Sequence, residues 1–184
     1  MRFRPCALVF SLAILWTIDS LQATQMTFNI NANGFNEVTA GGVPGQGDPD
    51  GTATGTLMLD NGTGAGNTGS ATFNITLSNI DITTLSGHHI HIGPPTTTGG
   101  IVLDFGDPDT IRTGSLLSGT ISSLSAVTIS NIFANPTGFY YNIHNGGFPG
   151  GAVRDQLPEP GTYALIATGA LALFAARRHR KTSA

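Results

Sequence analysis

The sequence predicts an all-β fold, an antiparallel Greek-key sandwich or barrel. Three observations predict it: short runs with period-two alternation, glycine-rich turns between them, and no sustained helical period in the body of the chain. In chain order, Met26, Phe28 and Ile30 alternate with polar residues. Leu57 and Leu59 follow, and Asp60-Asn61-Gly62 comes next, its Asn-Gly suited to a tight hairpin. Ala71, Phe73, Ile75 and Leu77 alternate with Thr72, Asn74 and Thr76. Further strands are expected at Ile90 and Ile92, over residues 101–105, at Val127 and Ile129, and at Phe139, Tyr141 and Ile143. Alternation places Phe139 and Tyr141 in the core and Tyr140 on the strand surface. One domain over residues 24–157 accommodates all of these elements.

The two ends read as addresses. Arg2 and Arg4 precede an apolar run over residues 7–16, and Ala23 closes the pattern, so residues 1–23 are expected to be a secretory signal peptide. About ten apolar residues are too few to cross a hydrocarbon core of ~30 Å. At the other end, Pro158-Glu159-Pro160 leads into largely apolar residues 162–176 and then a basic cluster over 177–181. Fifteen such residues make ~22 Å of helix, an expected short transmembrane span with snorkelling cations. The cluster belongs on the cytoplasmic side and the body outside.

Charge sharpens once the ends are set aside. The 184-residue chain has 8 Lys+Arg and 11 Asp+Glu, but the body keeps only Arg112 and Arg154 against every acid except Asp19 and Glu159. An acidic body repels nucleic acid, which is excluded as a partner, and tolerates divalent cations. The single cysteine, Cys6, lies in the leader, so neither a disulfide scaffold nor a thiol nucleophile is expected. No G-x-S-x-G elbow or Walker loop is present either.

Two groups of residues carry candidate metal chemistry. In a strand, His89 and His91 project to one face while His88 points the other way with Ile90 and Ile92, which are expected in the core. Asn142 and His144 share a face on a second strand, so His89, His91 and His144 are candidate ligands for copper or zinc. The alternative is that they are surface histidines donating to backbone carbonyls. Gly-Asp-Pro-Asp occurs twice, placing Asp48 and Asp50 on one loop and Asp107 and Asp109 on another. Clustered carboxylates suit calcium, although Asp and Pro are also ordinary turn formers.

The C-terminal arrangement resembles the PEP-CTERM sorting signal of Gram-negative bacteria. The resemblance implies processing near Pro158, Glu159 and Pro160 by an exosortase-type enzyme. It also implies export by the secretion machinery with signal peptidase, and a transient stay in the inner membrane. The destination would be the cell surface or extracellular matrix, with exopolysaccharide or other surface proteins as partners.

The body resembles the CHRD domain. The resemblance rests on Gly87-His88-His89-Ile90-His91-Ile92-Gly93, Gly99-Gly100-Ile101-Val102, Tyr140-Tyr141-Asn142-Ile143-His144 and Gly150-Gly151-Ala152-Val153-Arg154-Asp155-Gln156-Leu157. Phe35-Asn36-Glu37-Val38 matches the family's N-terminal element, with Thr39 in place of a proline. Ala152 and Asp155 stand where the family usually has an acid and a glycine. The resemblance implies a secreted, non-enzymatic binding or scaffolding module.

A more distant likeness is to copper/zinc superoxide dismutase. It implies a related β-fold, copper on His89, His91 and His144 with weak redox activity, and Arg154 as an anion guide. The zinc loop and disulfide of that family are missing here. The other expected role of Arg154 is as a structural partner for a carboxylate or carbonyls.

Overall fold

The computed structural model describes residues 25–62 and 68–158. The expected signal peptide and C-terminal transmembrane helix lie outside them. Among the described residues no helix is long and apolar enough to cross a membrane.

Nine antiparallel strands form the fold: β1 (Gln25–Asn33), β2 (Thr52–Asp60), β3 (Thr68–Ser78), β4 (Leu85–Ile92), β5 (Ile101–Asp104), β6 (Arg112–Thr113), β7 (Leu116–Ser125), β8 (Phe139–Asn145) and β9 (Val153–Gln156). Among the described residues one α-helix, α1 (Ala126–Ala134), joins them. The strands make a single sheet in the order β5-β4-β8-β9-β1-β2-β3-β7-β6. Its two halves meet at one residue pair, Asn33 of β1 with Arg154 of β9. The sheet curls at that seam, bringing Phe73 of β3 within 5.0 Å of His88 of β4, edge to face. Two faces of one sheet thereby enclose the core, as in a sandwich.

Alternation explains the half made of β1, β2, β3 and β7. Phe28, Ile30 and Ala32, then Ala53, Leu57 and Leu59, then Ala71, Phe73, Ile75 and Leu77 all point inward, and Leu117 of β7 joins them. Each large side chain buried here stabilises the fold by roughly 1.5–3 kcal/mol.

The structure corrects the sequence expectation at four places. Val127 and Ile129 lie in α1, not a strand: the Ser125 hydroxyl caps the helix by accepting from the Thr128 N–H at 3.2 Å. Ile129, Ile132 and Phe133 then fall on one buried helical face. Asn61-Gly62 does not form a two-residue hairpin turn, since Asp60 pairs with Ser70 in the β2–β3 register. Ile92 is 51% exposed, because the β4–β5 register shifts between Ile90 and His91 and turns the strand end out of the core. Tyr140 is buried rather than on the surface, because the loops after β1 and β4 cover the outer face of β8.

Candidate functional site

The half made of β4, β8 and β9 differs in what it buries. Its inward face carries His88, which lies with Ile90, Tyr141 and Ile143. The His88 Nδ1 sits 3.3 Å from the Tyr141 hydroxyl, and its Nε2 is buried without a partner. Burial favours the neutral ring and holds the His88 pKa down to about 4.

On the opposite face, β4 and β8 pair so that His89 stands across from Asn142, His91 across from Tyr140, and Gly87 across from His144. Gly87 lets the histidines converge: a Cβ there would lie 2.3 Å from Cε1 of the His89 ring. The centroids of His89 and His144 are 5.1 Å apart, those of His91 and His144 5.4 Å, and those of His89 and His91 5.6 Å. One ring nitrogen from each lies within 4.8 Å of the others. His91 is buried, while His89 and His144 are half-buried.

Each imidazole is held from behind. His91 Nδ1 lies 2.9 Å from the Gly99 carbonyl, and its ring stacks on Tyr140 at 5.0 Å. His144 Nδ1 lies 3.1 Å from the Pro149 carbonyl, and His89 Nε2 lies 3.5 Å from Asp104 Oδ1. The Nε2 atoms of His91 and His144 face each other at 3.3 Å. Desolvation lowers all three pKa values, that of His91 to about 4. The three histidines named from the sequence thus lie side by side on one face of β4 and β8.

Beside the imidazoles lies a network that the sequence reading did not assemble. Arg154, 1% exposed, places its guanidinium carbon 3.5 Å from the Tyr140 ring centroid. Its Nη1 donates to the Thr97 carbonyl at 3.0 Å and its Nη2 to the Pro94 carbonyl at 2.7 Å. Glu37 Oε1 lies 4.0 Å from Nη1, and Glu37 Oε2 accepts from Asn142 Nδ2 at 2.8 Å. Desolvation raises the Glu37 pKa despite these partners. The Tyr140 hydroxyl accepts from the Gly99 N–H at 3.1 Å, so the peptide that orients His91 is anchored by the same network. A Cβ at Gly99 would lie 1.6 Å from the Ile92 carbonyl oxygen, so the anchoring loop needs glycine there. Arg154 is thus a buried partner of carbonyls and a carboxylate. The signal for Tyr140 and Asn142 was available: they share a β8 face with His144.

Among the described residues neither Gly-Asp-Pro-Asp loop gathers a third carboxylate or imidazole. Asp107 caps a 3-10 turn by accepting from the Asp109 N–H at 2.9 Å, and Asp109 pairs with Arg112 Nε at 2.6 Å. Asp48 is buried while Asp50 is exposed. Among the described residues only the three histidines converge as a group of this kind.

An antiparallel β domain with one apolar half and one half built on a buried polar network defines a β-sandwich module. The chain belongs to the CHRD family: the profile of the CHRD domain matches residues 28–157, and that of the PEP-CTERM protein-sorting motif matches residues 156–181. Both are non-catalytic domain types. The sorting motif implies processing by an exosortase-type system and an exported, membrane-anchored precursor destined for the cell surface. No curated protein and no solved structure matched the chain.

Proposed function

We propose that this chain is a surface or extracellular-matrix protein that acts by binding or scaffolding through its CHRD domain. The observation that carries the reading is the junction between the two matched segments. Leu157 is fully buried and its N–H donates to the Phe139 carbonyl at 3.0 Å, whereas the next residue, Pro158, is exposed. The last strand, Val153–Gln156, and the buried Leu157 both precede Pro158-Glu159-Pro160, so processing at that tripeptide would leave the strand intact. A binding role is supported by Phe35 and Val43, which are 71% and 55% exposed. Phe35 also borders a cavity of about 250 Å³ with Val38, Pro44 and Pro95. An exosortase-type enzyme, signal peptidase and the secretion machinery would act on the precursor, and exopolysaccharide or another surface protein would be its partner.

Fractionation of cells producing the full chain tests this. The reading expects a shortened protein at the surface, and a variant with Ala at 158–160 retained in the membrane at full length. A wild-type chain that stays cytoplasmic, or that reaches the surface equally well with the motif replaced, contradicts it.

A further inference from the structure

We propose that His89, His91 and His144 form a three-imidazole site for a divalent transition-metal ion, zinc or copper. The inference goes beyond the surface-module reading and does not depend on it.

The hydrogen-bond chemistry carries it. A carbonyl oxygen can only accept, so the carbonyls of Gly99 and Pro149 assign the protons of His91 and His144 to Nδ1. In the neutral rings both Nε2 atoms are then bare lone pairs, and they face each other at 3.3 Å. Two acceptors at that distance repel unless a cation lies between them. Imidazole nitrogens bound to a tetrahedral ion at ~2.0–2.1 Å stand ~3.3 Å apart, so the spacing suits a shared metal. The third ring supplies an independent observation: His89 Nδ1 is buried with no hydrogen-bond partner, while its other nitrogen faces Asp104. That leaves Nδ1 as the donor.

The surroundings agree. A carboxylate or carbonyl behind each ligating imidazole fixes its tautomer and raises its basicity, the usual outer arrangement of a histidine metal site. An all-imidazole set selects zinc, copper or nickel over calcium and magnesium, which require oxygen donors. Three protein ligands leave a fourth position for water or for a donor from another molecule.

The test uses the full chain, made without a histidine tag and stripped with chelator. Calorimetric titration with zinc and with copper should give one site per chain for at least one of these ions. The affinity should fall at least 100-fold in His91→Ala and in His144→Gln. His179→Gln, in the basic tail, should leave it unchanged, and calcium should not compete. X-ray absorption of the loaded wild-type chain should count three imidazole ligands, which keeps the proposal testable if a variant fails to fold. No binding of either ion, undiminished binding in the His91→Ala/His144→Gln double variant, or fewer than three imidazoles around the bound ion would overturn it.

Discussion

The two halves of the curled sheet are built on opposite principles. In β1, β2, β3 and β7 every buried side chain is apolar, and polar residues alternate outward. Among the described residues the buried polar and charged ones are Glu37, Asp48, His88, His91, Asn142, Asn145 and Arg154, and they lie on β4, β8 and β9 or in the loop after β1. An apolar wall gains stability from burial regardless of pH. A wall of paired and oriented polar groups contributes little net stability but fixes where each group points. The first half is a support, and the second has the makings of a site.

The sharpest way to break that comparison is to remove one charge from the polar half. Arg154→Ala would leave Glu37 buried beside an empty cation position and is expected to cost about 4 kcal/mol, the cost of breaking a buried pair. It would also loosen the loop carrying Pro94, Thr97 and Gly99, so zinc or copper affinity should drop in the same variant. Leu57→Ala in the apolar half is expected to cost about 3 kcal/mol through the cavity it leaves. Denaturant melts should give the same loss at pH 7.5 and pH 5.5, and metal affinity should be unchanged. A Leu57→Ala loss that varied with pH would blur the distinction between the halves.

The pH dependence should come from the polar half. His88 is held near 4 in the fold and has an ordinary pKa of 6.5, so the unfolded chain takes up its proton first as pH falls. Its contribution is present above pH 6.5 and is lost as pH falls toward 4, on the order of 3 kcal/mol in all. His88→Leu should flatten that part of the stability profile of the metal-free protein, and an unchanged profile would contradict the assignment. The smallest effect belongs to Tyr140→Phe. It removes the acceptor for the Gly99 N–H while keeping the stack on His91 and Arg154, and should cost about 1 kcal/mol in thermal melts. A fully neutral result would mean the loop carrying Gly99 is held by other bonds.

The same contrast explains what was legible in the sequence. Period-two patterning is a local code, so β1, β2, β3 and β8 could be read from their own residues, and so could the shared face of His89 and His91. The pairing of β4 with β8, which brings His144 to them, is a tertiary fact. It followed only from assuming that the two runs were neighbours. Val127 and Ile129 fit a strand and a helix equally well, and the Ser125 cap with Ile132 and Phe133 decides for the helix. Tyr140 was misplaced because alternation assumes one face in water, whereas the Glu37 and Gly99 loops close over that face. Ile92 failed for the opposite reason: a register shift that no single strand encodes turned it outward.

The most direct test of the polar half as a cation site is the protonation of its imidazoles. Nitrogen-15 spectra of the side chains, recorded above pH 7 before and after one equivalent of zinc, should show His91 and His144 keeping their Nδ1 protons and binding through Nε2. His89 should bind through Nδ1. A lasting proton on Nε2 of His91 or His144 while zinc is bound, or zinc held through Nε2 of His89, would contradict the account.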